Sequence, residues 1–185
     1  MPNSNTQFKP KREFATLSTQ EALHVAIFIE ERNAQIYAQF AELFSEFGDY
    51  ESVEIAATFE EMSAEERKHG TMLQKRYFDR YGTQACAVTE DDIRELIEVP
   101  RLEGGIFVIS RAKGGRSPRE LALEVGLKAE QSATRYYSCL VETTDDPEMR
   151  AFYREFVDFE AGHTDFLQKT LDHLRRSSPA DPKLH

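Results

Sequence analysis

The stretch EFVDFEAGHTDFL, residues 155–167, decides how this chain folds. Glu160 and His163 stand three apart in it, between Phe156 and Leu167, so a helix burying its apolar face there also buries a carboxylate and an imidazole. Alternate steps of four and three residues follow one helical face, because their mean of about 3.5 stays close to the 3.6-residue turn. From Met149 the series runs Tyr153, Phe156, Glu160, His163, Leu167, Thr170, Leu174. Glu160 and His163 are its one acid and one imidazole.

The same stepping finds three more such faces. Ile55, Phe59, Met62, Glu66, His69, Leu73 again carries Glu-x-x-His, whereas Leu23, Ile27, Glu30, Ala34, Tyr37, Ala41, Phe44 carries a single Glu. Leu123, Leu127, Glu130, Thr134, Tyr137, Val141 repeats that last series 100 residues on, and Glu160/His163 repeats Glu66/His69 94 residues on. The chain is therefore an internal duplication of a helix pair.

Punctuation places the helices. Ser18 with Glu21, and Ser117-Pro118 with Glu120, are N-terminal caps that open helices at about 19 and 118. Gly48-Asp49 forms the first turn, Gly82 stops the second helix after Tyr81, and Asp146-Pro147 starts the fourth. The polar segments 1–17 and 177–185 are expected to be tails flanking one bundle over 18–176. Within it, 82–117 is expected to be a crossover, with a short helix at 89–98 and an apolar IFVI at 106–109. Such a segment outreaches a helix of ~40–45 Å, so the second and third helices can run parallel while each short-linked pair runs antiparallel. Its Gly-Gly pairs match no phosphate-loop pattern and are turns. The fold class is all-α: two antiparallel hairpins joined by a long crossover.

Residues equidistant from the bend of a hairpin lie level. Glu30 and Glu66 are centred on residue 48, Glu130 and Glu160 on residue 145, and both centres fall in turns placed independently by Gly, Asp and Pro. Four carboxylates and two imidazoles are thus expected at one height inside the bundle. Each unpaired buried charge costs several kcal/mol or more, so something must neutralise them. Two divalent cations offset four carboxylates, and an oxygen-and-imidazole donor set suits iron or manganese, with zinc possible. One Glu-x-x-His is weak evidence, since most such pairs are solvated surface; two in matching register are stronger. Tyr37 and Tyr137 lie on the same stripes and are expected to be core residues whose hydroxyls bond a carboxylate. His24 falls at the edge of the face, and Glu31, Glu61 and Glu65 fall on the outside, where any could support a ligand.

Other classes recede. The formal net charge of −10 with no long basic run argues against a nucleic-acid or anionic-membrane surface. No stretch reaches the ~20 apolar residues of a membrane span and the N-terminus lacks an apolar leader core, so a cytoplasmic location is expected. Cys86 and Cys139, 53 apart and without C-x-x-C, cannot form a thiolate zinc or rubredoxin-type iron site and are expected to be reduced thiols.

The order Glu, Glu-x-x-His, crossover, Glu, Glu-x-x-His resembles the ferritin-like di-iron carboxylate proteins over about 19–176, and within them a single-domain rubrerythrin or erythrin, with bacterioferritin close behind. That resemblance implies a ferritin-like four-helix bundle, two irons per chain (manganese or a mixed pair as alternatives) and a homodimer. It makes Glu30 and Glu130 terminal ligands, Glu66 and Glu160 bridges, and His69 and His163 the ligand completing each metal. It also implies a redox protein that reacts with hydrogen peroxide or dioxygen; the alternatives are ferroxidase and iron storage, an oxygenase on a small organic molecule, or a metal-binding bundle without turnover. Two departures stand out. Leu127 and Ala133 occupy the places where rubrerythrins carry an extra third-helix carboxylate, and the Cys-rich rubredoxin module is missing, which implies a separate electron donor of rubredoxin or flavoprotein type. Arg67 stands where bacterioferritins place a haem-ligating Met, so no haem is expected.

Overall fold

The computed structural model describes residues 16–88 and 117–177. Four helices fill them: α1 Thr19–Phe47, α2 Tyr50–Tyr81, α3 Pro118–Thr143 and α4 Pro147–Ser177, with no strand among the described residues. The expected short helix at 89–98 and the apolar 106–109 lie outside the described residues. So does most of both tails, although Leu17, expected in the first, packs against the core.

The helix ends follow from local chemistry. Ser18 and Ser117 each complete a capping box with Glu21 and Glu120, satisfying two otherwise orphaned N–H groups apiece. Asp49 caps α2 through the amide of Ser52, and Asp146 Oδ1 accepts from the amides of Glu148 and Met149. Gly48 closes α1 at φ 68°, a left-handed conformation that a residue without Cβ adopts cheaply.

Contacts along the helices fix their directions. Ser63 donates to the Ala34 carbonyl and Gln74 to Glu31, so α1 and α2 run antiparallel; Arg175 on Glu120 and Glu124 shows the same for α3 and α4. Arg119 bonds Glu51 and Ser52, and Gly126 abuts Phe59, so α2 and α3 run parallel, as the crossover expectation requires. Arg119 also reaches Asp49 at 2.5 Å, while Arg80 meets Asp146 at 2.5 Å and Arg76 meets Glu148. These pairs clamp the two hairpins at opposite ends, where solvent screens them.

The core is split in two. One apolar cluster holds Leu23, Ala26, Tyr137, Met149, Tyr153 and Phe156; the other holds Tyr37, Phe40, Phe44, Phe59, Leu123 and Leu167. Each fully buried large side chain contributes ~1.5–3 kcal/mol of burial. Between the clusters lies a polar layer.

The buried face of α1 is wider than the expected stripe, five of whose seven residues, Ala34 among them, are buried. Leu23, Ala26, Glu30, Asn33, Tyr37, Phe40 and Phe44 are all buried, whereas Ile27 and Ala41 are only half-buried. On α3, Gly126, Ala133 and Leu140 point inward and Leu127, Thr134 and Val141 are half-buried. A helix in a bundle touches two neighbours, so its buried arc is wider than one seam and two stripes share the anchoring residues. On α4, Leu171 is buried and Thr170 half-buried, the drift expected of a 3.6-residue turn followed with a shorter step.

Candidate metal centre

The polar layer is built by the six residues that the four stripes carry. Glu30 from α1, Glu66 from α2, Glu130 from α3 and Glu160 from α4 are fully buried, and His69 and His163 are 8% exposed. Donor atoms of Glu66, His69, Glu160 and His163 all lie within 4.8 Å of one another, a grouping that could hold metal. His163 Nδ1 lies 2.9 Å from Glu66 Oε1 and 3.3 Å from Glu130 Oε2. His69 Nδ1 lies 3.4 Å from Glu30 Oε2, 3.7 Å from Glu66 Oε2 and 4.0 Å from Glu160 Oε1. Each imidazole thus faces the lone Glu of its own hairpin, and Glu66 stands within reach of both.

The two tyrosines cross between hairpins. The Tyr37 hydroxyl donates to Glu130 Oε1 and the Tyr137 hydroxyl to Glu30 Oε1, so each holds the lone carboxylate of the other half. Burial, then the adjacent Glu130 or Glu30 charge, pushes each phenol well above its ordinary pKa, and both keep their protons.

Protein atoms alone leave this layer poorly balanced. Both oxygens of Glu66 and Glu160, Glu30 Oε2 and His69 Nδ1 have no hydrogen-bond partner of normal geometry. Burial, reinforced by neighbouring carboxylates, raises the pKa of Glu66 and Glu160 well above the usual range. Burial alone would lower His163, but the close Glu130 and Glu66 carboxylates outweigh that and lift it to about 11. Native proteins seldom leave so many buried polar atoms unsatisfied, and cations between the carboxylates would satisfy them all. The donor set fits a pair of oxygen- and nitrogen-seeking divalent metals.

Grooves approach the layer from two sides, one of about 610 Å³ between α1 and α2 being lined in part by Glu66. A groove of about 590 Å³ between α2 and α4 runs down to the edges of His69 and His163, past Glu61, Glu65, Asp158, Phe159 and Phe166. A larger groove of about 780 Å³ lies along the same seam against Tyr50, Ile55 and His173, and none of the six residues lines it. No helix among the described residues is long and apolar enough to cross a membrane.

Two residues escaped the stripes. Glu65, one residue off the face and placed outside by periodicity, puts Oε2 2.8 Å from His163 Nε2. Asn33 is buried on α1 with its Nδ2 unpartnered, opposite in the repeat to Ala133. His24 is half-buried and Glu31 and Glu61 are exposed, as their positions predict.

Comparison with known proteins agrees with this architecture. The rubrerythrin family model matches residues 21–103, spanning both helices of the first hairpin and their Glu30, Glu66 and His69. A solved structure of an uncharacterised conserved protein from Magnetospirillum magnetotacticum MS-1 superposes with a TM-score of 0.68 at 19% identity, covering 91% of this chain and 100% of that one. No curated protein matches. The chain is a ferritin-like four-helix bundle whose residues 21–103 carry the rubrerythrin family pattern.

Proposed function

We propose that this protein is a rubrerythrin-like di-iron redox protein that reduces hydrogen peroxide or dioxygen. The observation that carries this reading is the convergence of six donors from four helices on one buried layer, with unpartnered carboxylate oxygens directed into it. Glu30 with His69 and Glu130 with His163 would hold one ion each, with Glu66 and Glu160 shared. Bound iron would supply one-electron redox steps and Lewis acidity toward an oxygen ligand.

The chain's own residues set the conditions for that chemistry. Tyr37 and Tyr137 fix the orientation of Glu130 and Glu30, and Phe59 and Phe156 close the layer from above and below. The groove over the two imidazoles suits a small oxidant. Reducing peroxide to two water molecules takes two electrons and two protons. With only Cys86 and Cys139, both half-buried and separate, the electrons would come from another protein of rubredoxin or flavoprotein type. On α3 the inward neighbours of Glu130 are Gly126 and Ala133, so that helix offers no second carboxylate for a ligand exchange.

Purification without added metal, followed by metal analysis, tests the reading. About two irons (or manganese) per chain are expected, lost in Glu130→Ala, and the ferrous form should be oxidised faster by peroxide than by dioxygen. Metal-free protein of undiminished stability would sink the proposal. A second reading, iron as substrate of a ferroxidase, draws on the acids Glu61, Glu65 and Asp158 along the groove. Native mass separates the two, a dimer supporting the redox protein and a multi-subunit cage supporting iron storage.

A further inference from the structure

We infer that Glu65 is a positioning residue for His163 that makes the two metal positions unequal, the one at His163 and Glu130 binding a divalent cation more tightly. The inference rests on the metal reading above and concerns a residue outside the six-donor set.

The internal duplication supplies the comparison. Glu66 and His69 on α2 correspond to Glu160 and His163 on α4, so Glu65 corresponds to Phe159. Both residues reach across the α2–α4 groove to the imidazole of the opposite helix. Glu65 Oε2 stands 2.8 Å from His163 Nε2, whereas the Phe159 ring stacks on His69 at 4.6 Å between centroids and 13° between planes. One histidine therefore has a carboxylate acceptor behind it and the other an aromatic face.

That difference has a direct consequence. An imidazole bonds a metal through one nitrogen and carries its proton on the other, and an acceptor for the N–H fixes both the tautomer and the ring plane. With a metal bound and the ring neutral, Glu65 would accept from Nε2–H of His163 and leave the Nδ1 lone pair to the ion between Glu66 and Glu130. It also raises the basicity of that ligand. Phe159 holds the His69 ring in place by stacking but offers no acceptor, so Nδ1 of His69 is the weaker donor. The Glu65 side chain is 44% exposed, so its removal opens no buried void.

Cobalt(II) titration of metal-stripped protein, read by visible absorption against a competing chelator, tests the inference. Two ions per chain are expected in two resolved steps. Glu65→Ala should weaken one step by about 10–100-fold and Glu65→Gln by less, while the other step stays unchanged. Phe159→Glu, which gives His69 the missing acceptor, should bring the steps closer together. Glu61→Ala, an acid in the same groove, should move both steps by no more than about threefold, since an exposed charge is screened. In a His163→Ala background, Glu65→Ala should cause no further loss.

Unchanged affinities in Glu65→Ala, an equal effect of Glu61→Ala, or the same loss without His163 would overturn the inference and leave the metal site standing. Wild-type protein that takes up no cobalt would overturn both.

Discussion

At the scale of single residues, the centre is held by side chains that never meet the metal in this reading. Tyr37 and Tyr137 are fully buried, and each donates to the terminal carboxylate of the opposite hairpin. Because burial and the adjacent carboxylate keep both phenols protonated, their role here is to orient Glu130 and Glu30. Tyr37→Phe should therefore retain two metals per chain and oxidise at a rate within about threefold of wild type, while losing ~1.5–3 kcal/mol of stability from a hydrogen bond to a buried charged group. Metal analysis, stopped-flow oxidation and denaturant unfolding of the one variant check all three; a collapse of the rate with full metal loading would instead assign Tyr37 a redox role. The same expectation, a core tyrosine bonded to a carboxylate, was available from its place on the Glu30 stripe. What periodicity did not supply was the partner, since a stripe orders residues along one helix and says nothing of which helix lies opposite. Glu65 illustrates the converse: one residue off the buried face, it still reaches His163, because a long side chain at the edge of a face can lean back over it.

At the scale of helices, the four helix starts and both short turns were legible from Ser, Asp, Gly and Pro, and the level placement of Glu with Glu-x-x-His was legible from distance to the bend. The full width of the buried face on α1 and α3 was not. Ala26, Gly126 and Ala133 are small residues that a search for apolar bulk passes over, yet all three face inward. Gly126 is tightly enclosed: an added Cβ would stand 3.2 Å from Tyr37 Cε1 and 3.2 Å from Leu167 Cδ1. Tyr37 is pinned by Glu130 and stacked on Phe59 at 5.7 Å, so it has little freedom to give way. Gly162, also mid-helix, meets nothing within 4 Å. Gly162→Ala is accordingly expected to stabilise by ~0.5–1 kcal/mol through helix propensity. Gly126→Ala should forfeit that gain and destabilise by ~1–3 kcal/mol through overpacking. Parallel thermal melts decide it, and a stabilised Gly126→Ala would show that the α1–α3 contact is looser than its distances imply.

At the scale of the whole molecule, a polar layer divides the core, and stability turns on what neutralises it. Without metal, Glu66 and Glu160 have raised folded-state pKa values, so the folded protein holds protons that the unfolded chain releases. Their contribution is fully present below the ordinary carboxylate pKa and is lost as pH rises through the raised values. His163, raised to about 11, has the same sign: its contribution is present below its ordinary pKa of ~6.5 and falls away progressively as pH climbs toward 11. Metal-stripped protein should therefore melt at higher temperature near pH 5 than near pH 8. Metal reverses the sign, because cations bind the deprotonated carboxylates and the neutral imidazole and so compete with those protons. An ion at 100 times its Kd adds ~2.7 kcal/mol, and two such ions in a chain of this size should raise Tm on the order of 10 °C at pH 8. That increment should shrink steadily toward pH 5, so the curves of Tm against pH for stripped and loaded protein converge on the acid side. Parallel curves would mean that the metal binds elsewhere than among Glu66, Glu160 and His163. A stripped protein that loses stability on mild acidification would mean that the buried carboxylates are ionised and paired by some other cationic group.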